Sequence, residues 1–176
     1  MENSTIECLK TRRSIKAYNP DRMPSQEQLD AILEAGMNAP TGRGLQSPVI
    51  AVITDKSTRD RLSKLNAQIL GSTGDPFYGA PVIMAVLADK TVPTHVYDGS
   101  LVMGNLMNAA HALGLGSCWI HRAKEIFDSD EGKAMLDKWG LRGEYEGIGF
   151  CTVGYVKDGY SPVVKPRKAG YVIHVE

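Results

Sequence analysis

Basic residues cluster near the start of the chain, where Arg12, Arg13, Ser14 and Lys16 fall within a short stretch. Arginine offers a planar fork of hydrogen-bond donors to phosphate oxygens, lysine adds a point charge, and serine adds one further donor. A second basic stretch, Lys165–Lys168, lies near the other end of the chain and is stiffened by proline. Each stretch alone also fits a solvated surface segment. Together they predict a two-part site for a phosphate group.

The segment Asn38–Pro48 has the residue types that suit contact with a flat ring. Its glycines let the backbone approach a ligand closely. The amide side chain of Gln46 can both donate to and accept from a ring edge that carries N–H and C=O groups. An ordinary connection between a helix and a strand fits the same residues.

The segment Gly114–Trp119 is not a dinucleotide-binding turn, because it follows a predicted helix and enters a strand. Within it, Cys118 has no identifiable basic partner, which favours a buried structural thiol over a nucleophile. Neither a GxxxxGK[ST] loop nor a GxSxG turn occurs in the sequence. The histidines and cysteines share no metal-ligand spacing, and the scattered thiols indicate a reducing cytoplasm.

Helices and strands alternate along the chain and would position these residues. Short runs rich in branched residues predict strands at Pro48–Ile53, Pro81–Leu87, Ser117–Ile120, Gly147–Tyr155 and Tyr171–Val175. Helical spacing predicts helices at Ser4–Thr11, from Ser25 to about Gly36, from about Ser57, at Gly99–Leu113 and at Glu131–Trp139. The first two strands are apolar on both faces, as in a sheet covered by helices on each side. A three-layer α+β or α/β domain is therefore expected.

Two of the predicted helices begin with the spacing of a capping box, Ser4 with Glu7 and Ser25 with Gln28. In that motif the hydroxyl accepts from a free helix amide and the longer side chain reaches back. The Gly99–Leu113 helix is apolar nearly all round. Such a helix is expected to be central in the domain or to contact a second copy of the chain.

Length and charge limit the function classes that remain. The 176 residues, 43% of them hydrophobic, fit a single domain that spans 1–176. Basic and acidic residues balance to a net charge of zero, so no global field attracts nucleic acid or an anionic membrane. No apolar run approaches the ~20 residues of a membrane span, and Met1–Lys10 lacks the apolar region of a signal peptide. A cytoplasmic location is expected.

Motifs along nearly the whole chain resemble, in order, those of the nitroreductase family. Arg12–Tyr18 is similar to its opening Arg-Arg/His-Ser-x-Arg/Lys-x-Phe/Tyr motif. Asn38–Thr41 with Gln46 resembles its Ala-Pro-Ser/Thr segment, although Gly44 stands where members commonly have asparagine. The remaining matches are Gly79–Ile83, Asp98–Ala110, Gly114–Ile120, Val153–Tyr155 and Lys165–Lys168.

This resemblance implies an α+β fold, a three-layer α-β-α sandwich with a mixed, mostly antiparallel central sheet. It also implies an intertwined homodimer with FMN at the interface. Two basic stretches would then hold the FMN phosphate and ribityl chain, namely Arg12, Arg13, Ser14, Lys16, Lys165 and Arg167. Residues beside the flavin ring would be Pro40, Thr41 and Gln46, with backbone amides from Gly116 and Ser117.

The activity implied is ping-pong hydride transfer through FMN, from NAD(P)H to a small oxidised acceptor such as a nitroaromatic or a quinone. Such chemistry needs no protein nucleophile, since the cofactor carries it, and no residue is assigned a catalytic role or a metal. Two alternatives stay open. One is a flavin-binding protein for storage or sensing, and the other is a flavin-free protein that binds a different phosphate ligand.

Overall fold

The computed structural model describes residues 3–176, which form six α-helices and four strands. The helices are α1 Ser4–Thr11, α2 Gln26–Met37, α3 Lys56–Leu70, α4 His95–Ala112, α5 Ala123–Asp128 and α6 Asp130–Lys138. The strands are β1 Pro48–Ile53, β2 Val82–Asp89, β3 Gly116–Ile120 and β4 Tyr145–Gly154. A short 3-10 turn, Gly42–Gly44, lies between α2 and β1.

The four strands form one sheet in the order β1-β2-β4-β3, and every neighbouring pair is antiparallel. One parallel bridge within residues 3–176, between Ser14 and Ser117 at the edge of β3, is added to these pairs, so the sheet is mostly antiparallel as expected. The strand predicted at Tyr171–Val175 does not form within one chain, because that segment is exposed and irregular. A strand needs partners for its backbone groups, and this segment has none among the described residues.

Helices cover both faces of the sheet, which confirms the three-layer prediction. On one face, α3, α5 and α6 pack around the contacting rings of Phe77, Phe127 and Phe150. On the other face, α2 and α4 pack against Met84 and Val86 of β2. Strand β2 is buried on both faces, as its continuous apolar sequence indicates.

Helix α4 is the central helix on its face of the sheet. It buries Val102, Met103 and Leu106 against the sheet and α2, while Tyr97 and Leu101 on its outer side are exposed. None of the helices within residues 3–176 has the length and apolar character needed to cross a membrane.

The two expected capping boxes have different outcomes. Ser25 and Gln28 form the predicted box, in which each side chain accepts from the other's backbone amide. The box at Ser4 is wrong, because Ser4 is the first residue of α1 and the N-cap is the residue before it. That N-cap is Asn3, whose side-chain oxygen accepts from the amide of Ile6 at 3.2 Å. Asparagine and serine are comparable N-caps, so local spacing alone does not choose between them.

Candidate functional site

The first basic segment is fixed along the outer edge of β3. Ser14 forms a parallel bridge with Ser117, and the amide of Ile15 donates to the Ser117 carbonyl at 2.9 Å. Side chains alternate along an extended segment, so Ile15 enters the core while Ser14 and Lys16 remain exposed. The close approach needs Gly116, where an added Cβ would lie 2.9 Å from Ile15 Cγ1.

The second basic stretch is brought to the same place by the chain after β4. The amide of Lys157 donates to the Ala17 carbonyl at 3.1 Å. The hydroxyl of Tyr160 accepts from the Lys16 amide at 3.2 Å. The two stretches line one cleft of about 370 Å³, here called the basic cleft, formed by Arg12, Arg13, Ser14, Lys16, Tyr160, Val163, Lys165 and Arg167.

The donors of the basic cleft fit a phosphate group. Among residues 3–176, no acidic side chain forms an ion pair with any of its five cations. The Nη1 atom of Arg12 is buried without a hydrogen-bond partner in this part of the chain. A buried donor left unpaired costs about 1–3 kcal/mol, and an anion in the cleft would supply its acceptor.

Arg13 lines the basic cleft but also has a structural role. Its Nη1 donates to the carbonyls of Lys10, at 2.6 Å, and Arg12, at 2.8 Å. These carbonyls lie at the end of α1, where the last turn of a helix leaves its acceptors free. Arg13 therefore caps α1 and faces the cleft with its remaining donors.

The structure places Gly116 and Ser117 at the start of β3, beneath the basic segment. Both are buried. The Ser117 hydroxyl donates to the Met107 carbonyl at 3.3 Å, and its own carbonyl accepts from Ile15. Within the chain these residues position the basic segment, and contact between their amides and a flavin ring stays a prediction.

The segment that carries Pro40, Thr41 and Gln46 lines neither the basic cleft nor the cleft beside it. It lies against the start of α4, where Asp98 accepts from the Gly42 amide and the Ser47 hydroxyl, each at 2.9 Å. The hydroxyl of Thr94 donates to the same carboxylate. We call residues 41–47 the clamped loop.

The carboxylate of Asp98 is buried and carries its charge. Burial raises its pKa, but the hydrogen bonds from Gly42, Ser47 and Thr94 outweigh burial and leave the pKa below its usual value. Asp98 is therefore ionised at neutral pH and fixes both ends of the clamped loop.

The clamped loop and the basic segment lie at opposite ends of α4. Cys8 and Thr11, near the end of α1, contact Asn108 and His111 in the last turns of α4. Asp98 lies in the first turn of the same helix. At a rise of 1.5 Å per residue, the two ends are about 20 Å apart. Within one chain, Pro40, Thr41 and Gln46 therefore do not line the basic cleft.

A second cleft, of about 360 Å³, adjoins the basic cleft and shares Lys16 with it. We call it the lateral cleft. Its lining includes Tyr78, His121 and Arg122, which the sequence did not single out. The full lining is Lys16, Leu70, Ser72, Gly74, Asp75, Pro76, Tyr78, Cys118, Trp119, Ile120, His121 and Arg122.

Strained backbone conformations occur in the clamped loop and at the lateral cleft. Four non-glycine residues in the described chain have a positive φ: Arg43, Gln46, Tyr78 and Arg122. The first two lie in the clamped loop, and the last two line the lateral cleft. Such conformations cost about 1–3 kcal/mol each and cluster at functional sites. The sequence does not reveal them, because a positive φ is expected at glycine, asparagine or aspartate, and none of the four is of these types.

Cys118 lies at the lateral cleft and is not an activated nucleophile. Burial raises the pKa of its thiol, although Ser14, Lys16 and Arg12 act in the opposite direction. Burial likewise raises the pKa of Cys151 to about 12. Both thiols stay protonated at neutral pH, in agreement with the structural role expected for Cys118.

Comparison with known proteins identifies the family. The family model described as "Nitroreductase family" matches residues 9–76 and 69–155. An Archaeoglobus fulgidus protein, named as a candidate NADH dehydrogenase/NAD(P)H nitroreductase, is 31% identical over 86% of this chain and 87% of its own length. A Vibrio harveyi protein named NADPH-flavin oxidoreductase is 26% identical over 97% of this chain and 72% of its own.

A solved structure shows the same fold. The crystal structure of a nitroreductase with bound FMN from Bacteroides fragilis superposes with a TM-score of 0.91 at 26% identity. The match covers 99% of this chain and 100% of that one. The architecture of the sheet and helices, the sequence matches and the family model agree, and this chain belongs to the nitroreductase family.

Proposed function

We propose that residues 1–176 form one FMN-binding domain, an enzyme that oxidises NAD(P)H and reduces a small acceptor such as a nitroaromatic or a quinone. The main observation is the basic cleft, where five cations from two distant stretches meet without an acidic partner in the described chain. The names of the relatives, which describe nitroreductases and a flavin oxidoreductase, support the same activity.

The two clefts suit the two ends of FMN. A phosphate in the basic cleft would accept from Arg12, Arg13, Ser14, Lys165 and Arg167, including the unpaired Nη1 of Arg12. The flat ring would lie in the lateral cleft, which opens from the basic cleft at Lys16. FMN, unlike FAD, ends in one phosphate, and one phosphate site is what the basic cleft provides.

When bound, FMN supplies the redox chemistry, accepting a hydride from reduced nicotinamide and delivering it to the acceptor in alternating half-reactions. The chain supplies placement and charge. Lys16 lies where the clefts meet and would place a positive charge near the bound ring, where negative charge develops on reduction. The protonated thiol of Cys118 takes no covalent part.

We propose that two copies build each site together, through α4. Its exposed apolar residues Val96, Tyr97 and Leu101 need cover that one chain does not give. In a two-fold pair with antiparallel α4 helices, the start of one helix meets the end of the other. The clamped loop of one copy, with Thr41 and Gln46 and preceded by Pro40, would then reach the basic cleft of its partner.

The exposed C-terminal segment fits the same homodimer. Tyr171, Val172, Ile173 and Val175 are all largely exposed, and Val175 is 92% so. The outer edge of β1 has no strand beside it in the described chain. A cleft of about 480 Å³ along that edge has an apolar floor. A C-terminal strand from a second copy would pair with the free edge of β1. That pairing would also cover the exposed apolar side chains of the segment.

The visible spectrum of the purified protein tests this function. We expect a yellow protein that releases FMN on denaturation, bleaches with NADH or NADPH, and recovers colour when a nitroaromatic or quinone is added. Slow reoxidation by every acceptor would favour a storage or sensing role. A colourless protein that takes up no FMN would overturn the proposal. The three unpaired cysteines agree with a cytoplasmic enzyme.

A further inference from the structure

Arg122 occupies a backbone position that favours glycine. It follows β3 with a φ of 75°, in the left-handed region that a side chain makes unfavourable. Asn66, which is fully buried, maintains this turn. Its amide donates to the His121 carbonyl at 2.7 Å and accepts from Arg122 Nε at 2.8 Å. A strained arginine with its own buried anchor indicates that its side chain has a function.

The far end of the Arg122 side chain is available to a ligand. Within residues 3–176 its Nη1 and Nη2 atoms have no hydrogen-bond partner, and neither is sealed from water. Arginine presents such donors as a planar pair, which matches carboxylate or other paired oxygen atoms. The lateral cleft therefore holds an oriented and unused anion donor.

Tyr78 lines the same cleft and is also held in a left-handed conformation, with a φ of 56°. Its amide donates to the Asp75 carbonyl at 3.1 Å, and its carbonyl accepts from Tyr18 at 3.3 Å. The Asp75 side chain accepts from the next amide, that of Gly79, at 2.7 Å. These bonds hold the backbone of Tyr78 at the cleft, and the centre of its ring lies 5.9 Å from Lys16 Nζ.

The charges of the lateral cleft favour an anion. Its cations are Lys16 and Arg122, and its one carboxylate, Asp75, is already paired with Arg59. No other lining residue of this cleft carries a carboxylate. A negatively charged molecule therefore meets no unpaired like charge there.

We propose that Arg122 is a specificity-determining residue that binds an anionic oxygen group of a planar aromatic acceptor, whose ring packs against Tyr78. This inference rests on the proposed function, since it concerns the molecule that takes the hydride. Arg122 sets which acceptor is preferred beside the flavin ring, while the basic cleft holds the FMN phosphate.

The test compares 4-nitrobenzoate with 4-nitrobenzamide, which share a ring and a nitro group but differ in charge. Steady-state kinetics on FMN-loaded protein would use the reduced nicotinamide that the wild-type protein oxidises. In Arg122→Gln we expect the ratio of kcat/KM for the anion to that for the amide to fall 10- to 100-fold, or about 1.4–2.8 kcal/mol. FMN is kept saturating for every variant, because Arg122 also lines the cleft proposed for the flavin ring, and the ratio between the two acceptors then does not depend on FMN affinity.

Two further variants separate charge recognition from a structural role. Arg122→Lys keeps the charge and should retain part of the preference, whereas Arg142→Gln removes an exposed cation outside both clefts and should change nothing. The inference is overturned if the ratio is unchanged in Arg122→Gln. It is also overturned if the Gln and Lys variants lose both acceptors equally, or if only KM for nicotinamide rises. Wild-type protein that binds no FMN would instead overturn the proposed function, and this inference with it.

Discussion

At the scale of single residues, the phosphate site is defined by donors that lack acceptors. Arg167→Ala should raise the Kd for FMN about 10- to 100-fold, because a charge-assisted hydrogen bond contributes roughly 1.5–3 kcal/mol and about 1.4 kcal/mol is tenfold in affinity. Arg167 lines the basic cleft at the exposed end of the chain, so thermal stability of the FMN-free protein should not change.

Fluorescence titration of the stripped protein with FMN measures this effect. Lys138→Ala is the matched control, since Lys138 is an exposed cation that lines neither cleft. Equal affinities in the two variants would contradict a phosphate site at the basic cleft.

Arg13 should behave differently from Arg167, although both were assigned to the phosphate from the sequence. Because Arg13 also donates to two carbonyls at the end of α1, Arg13→Ala should weaken FMN binding and also lower the melting temperature without FMN. Each such hydrogen bond contributes a net free energy of about 0.5–1.5 kcal/mol to folding. Thermal unfolding of the two FMN-free variants, side by side, shows whether only Arg13 has the capping role.

The buried carboxylate of Asp98 gives a pH-dependent prediction. Asp98→Asn should lower the free energy of unfolding at pH 7 by about 1–3 kcal/mol, since one amide and two hydroxyls donate to the charged form. Its pKa lies below the usual value in the folded protein. The stabilisation is therefore full above the unfolded pKa of about 3.9 and is lost as pH falls through the folded pKa.

Denaturant unfolding of wild-type and Asp98→Asn protein between pH 7 and pH 3 measures that difference. It should be constant down to about pH 5 and should shrink below about pH 4. Asp137→Asn, which changes an exposed carboxylate on α6, controls for the general effect of charge. A difference that grows on acidification would contradict the assigned role.

At the scale of elements, periodicity and composition predicted most of the fold. The bounds of α1 and β1 match the expected ranges, since both have clear patterns and clear breaks. The Tyr171–Val175 segment has the composition of a strand, but a strand also needs a neighbour, and sequence does not say which chain provides it.

The candidate site was predictable where it depends on residue type and not where it depends on backbone geometry. Both basic stretches could be found from the sequence because residue type reports charge directly. The structure brings the two stretches together in one cleft. Tyr78 and Arg122 were missed because their left-handed backbone depends on anchors distant in sequence, Asp75 and Asn66. The separation of Gln46 from the basic cleft depends on the length of α4, which a motif does not report.

Helix α4 depends on close packing at one glycine. A Cβ at Gly99 would lie 2.5 Å from Ile148 Cγ1, whereas a Cβ at Gly104, on the same helix, would meet nothing within 4 Å in this chain. Gly99→Ala should therefore cost about 1–3 kcal/mol of stability through overpacking. Gly104→Ala should leave stability unchanged or raise it by up to about 1 kcal/mol, the helix preference of alanine over glycine. Denaturant unfolding measures the stability of the two variants. Equal losses of stability would show that contact with Ile148 is not what makes Gly99→Ala destabilising.

At the scale of the whole molecule, a net charge of zero hides a strong local asymmetry. The basic cleft holds five cations, while most acidic side chains are paired elsewhere or exposed on the helices. The cations and the clamped loop lie at opposite ends of α4, so one chain holds two different parts of the proposed site. Assembly of two copies is thus part of the function that we propose, and FMN affinity should depend on it.

Deleting residues 171–176 tests that dependence. The deletion leaves Lys165 and Arg167 in place but removes four exposed apolar side chains that one chain does not bury. Each fully buried side chain of this size contributes roughly 1.5–3 kcal/mol. Light scattering at micromolar concentration should show wild-type dimers and a shift of the truncated protein towards monomer. FMN affinity should fall with it, because Thr41 and Gln46 would no longer be supplied by a partner.

Val172→Asp with Ile173→Asp in the full-length chain should act in the same direction, because the charges would oppose burial. A truncated protein that stays dimeric and keeps its FMN affinity would show that the segment lies outside the interface.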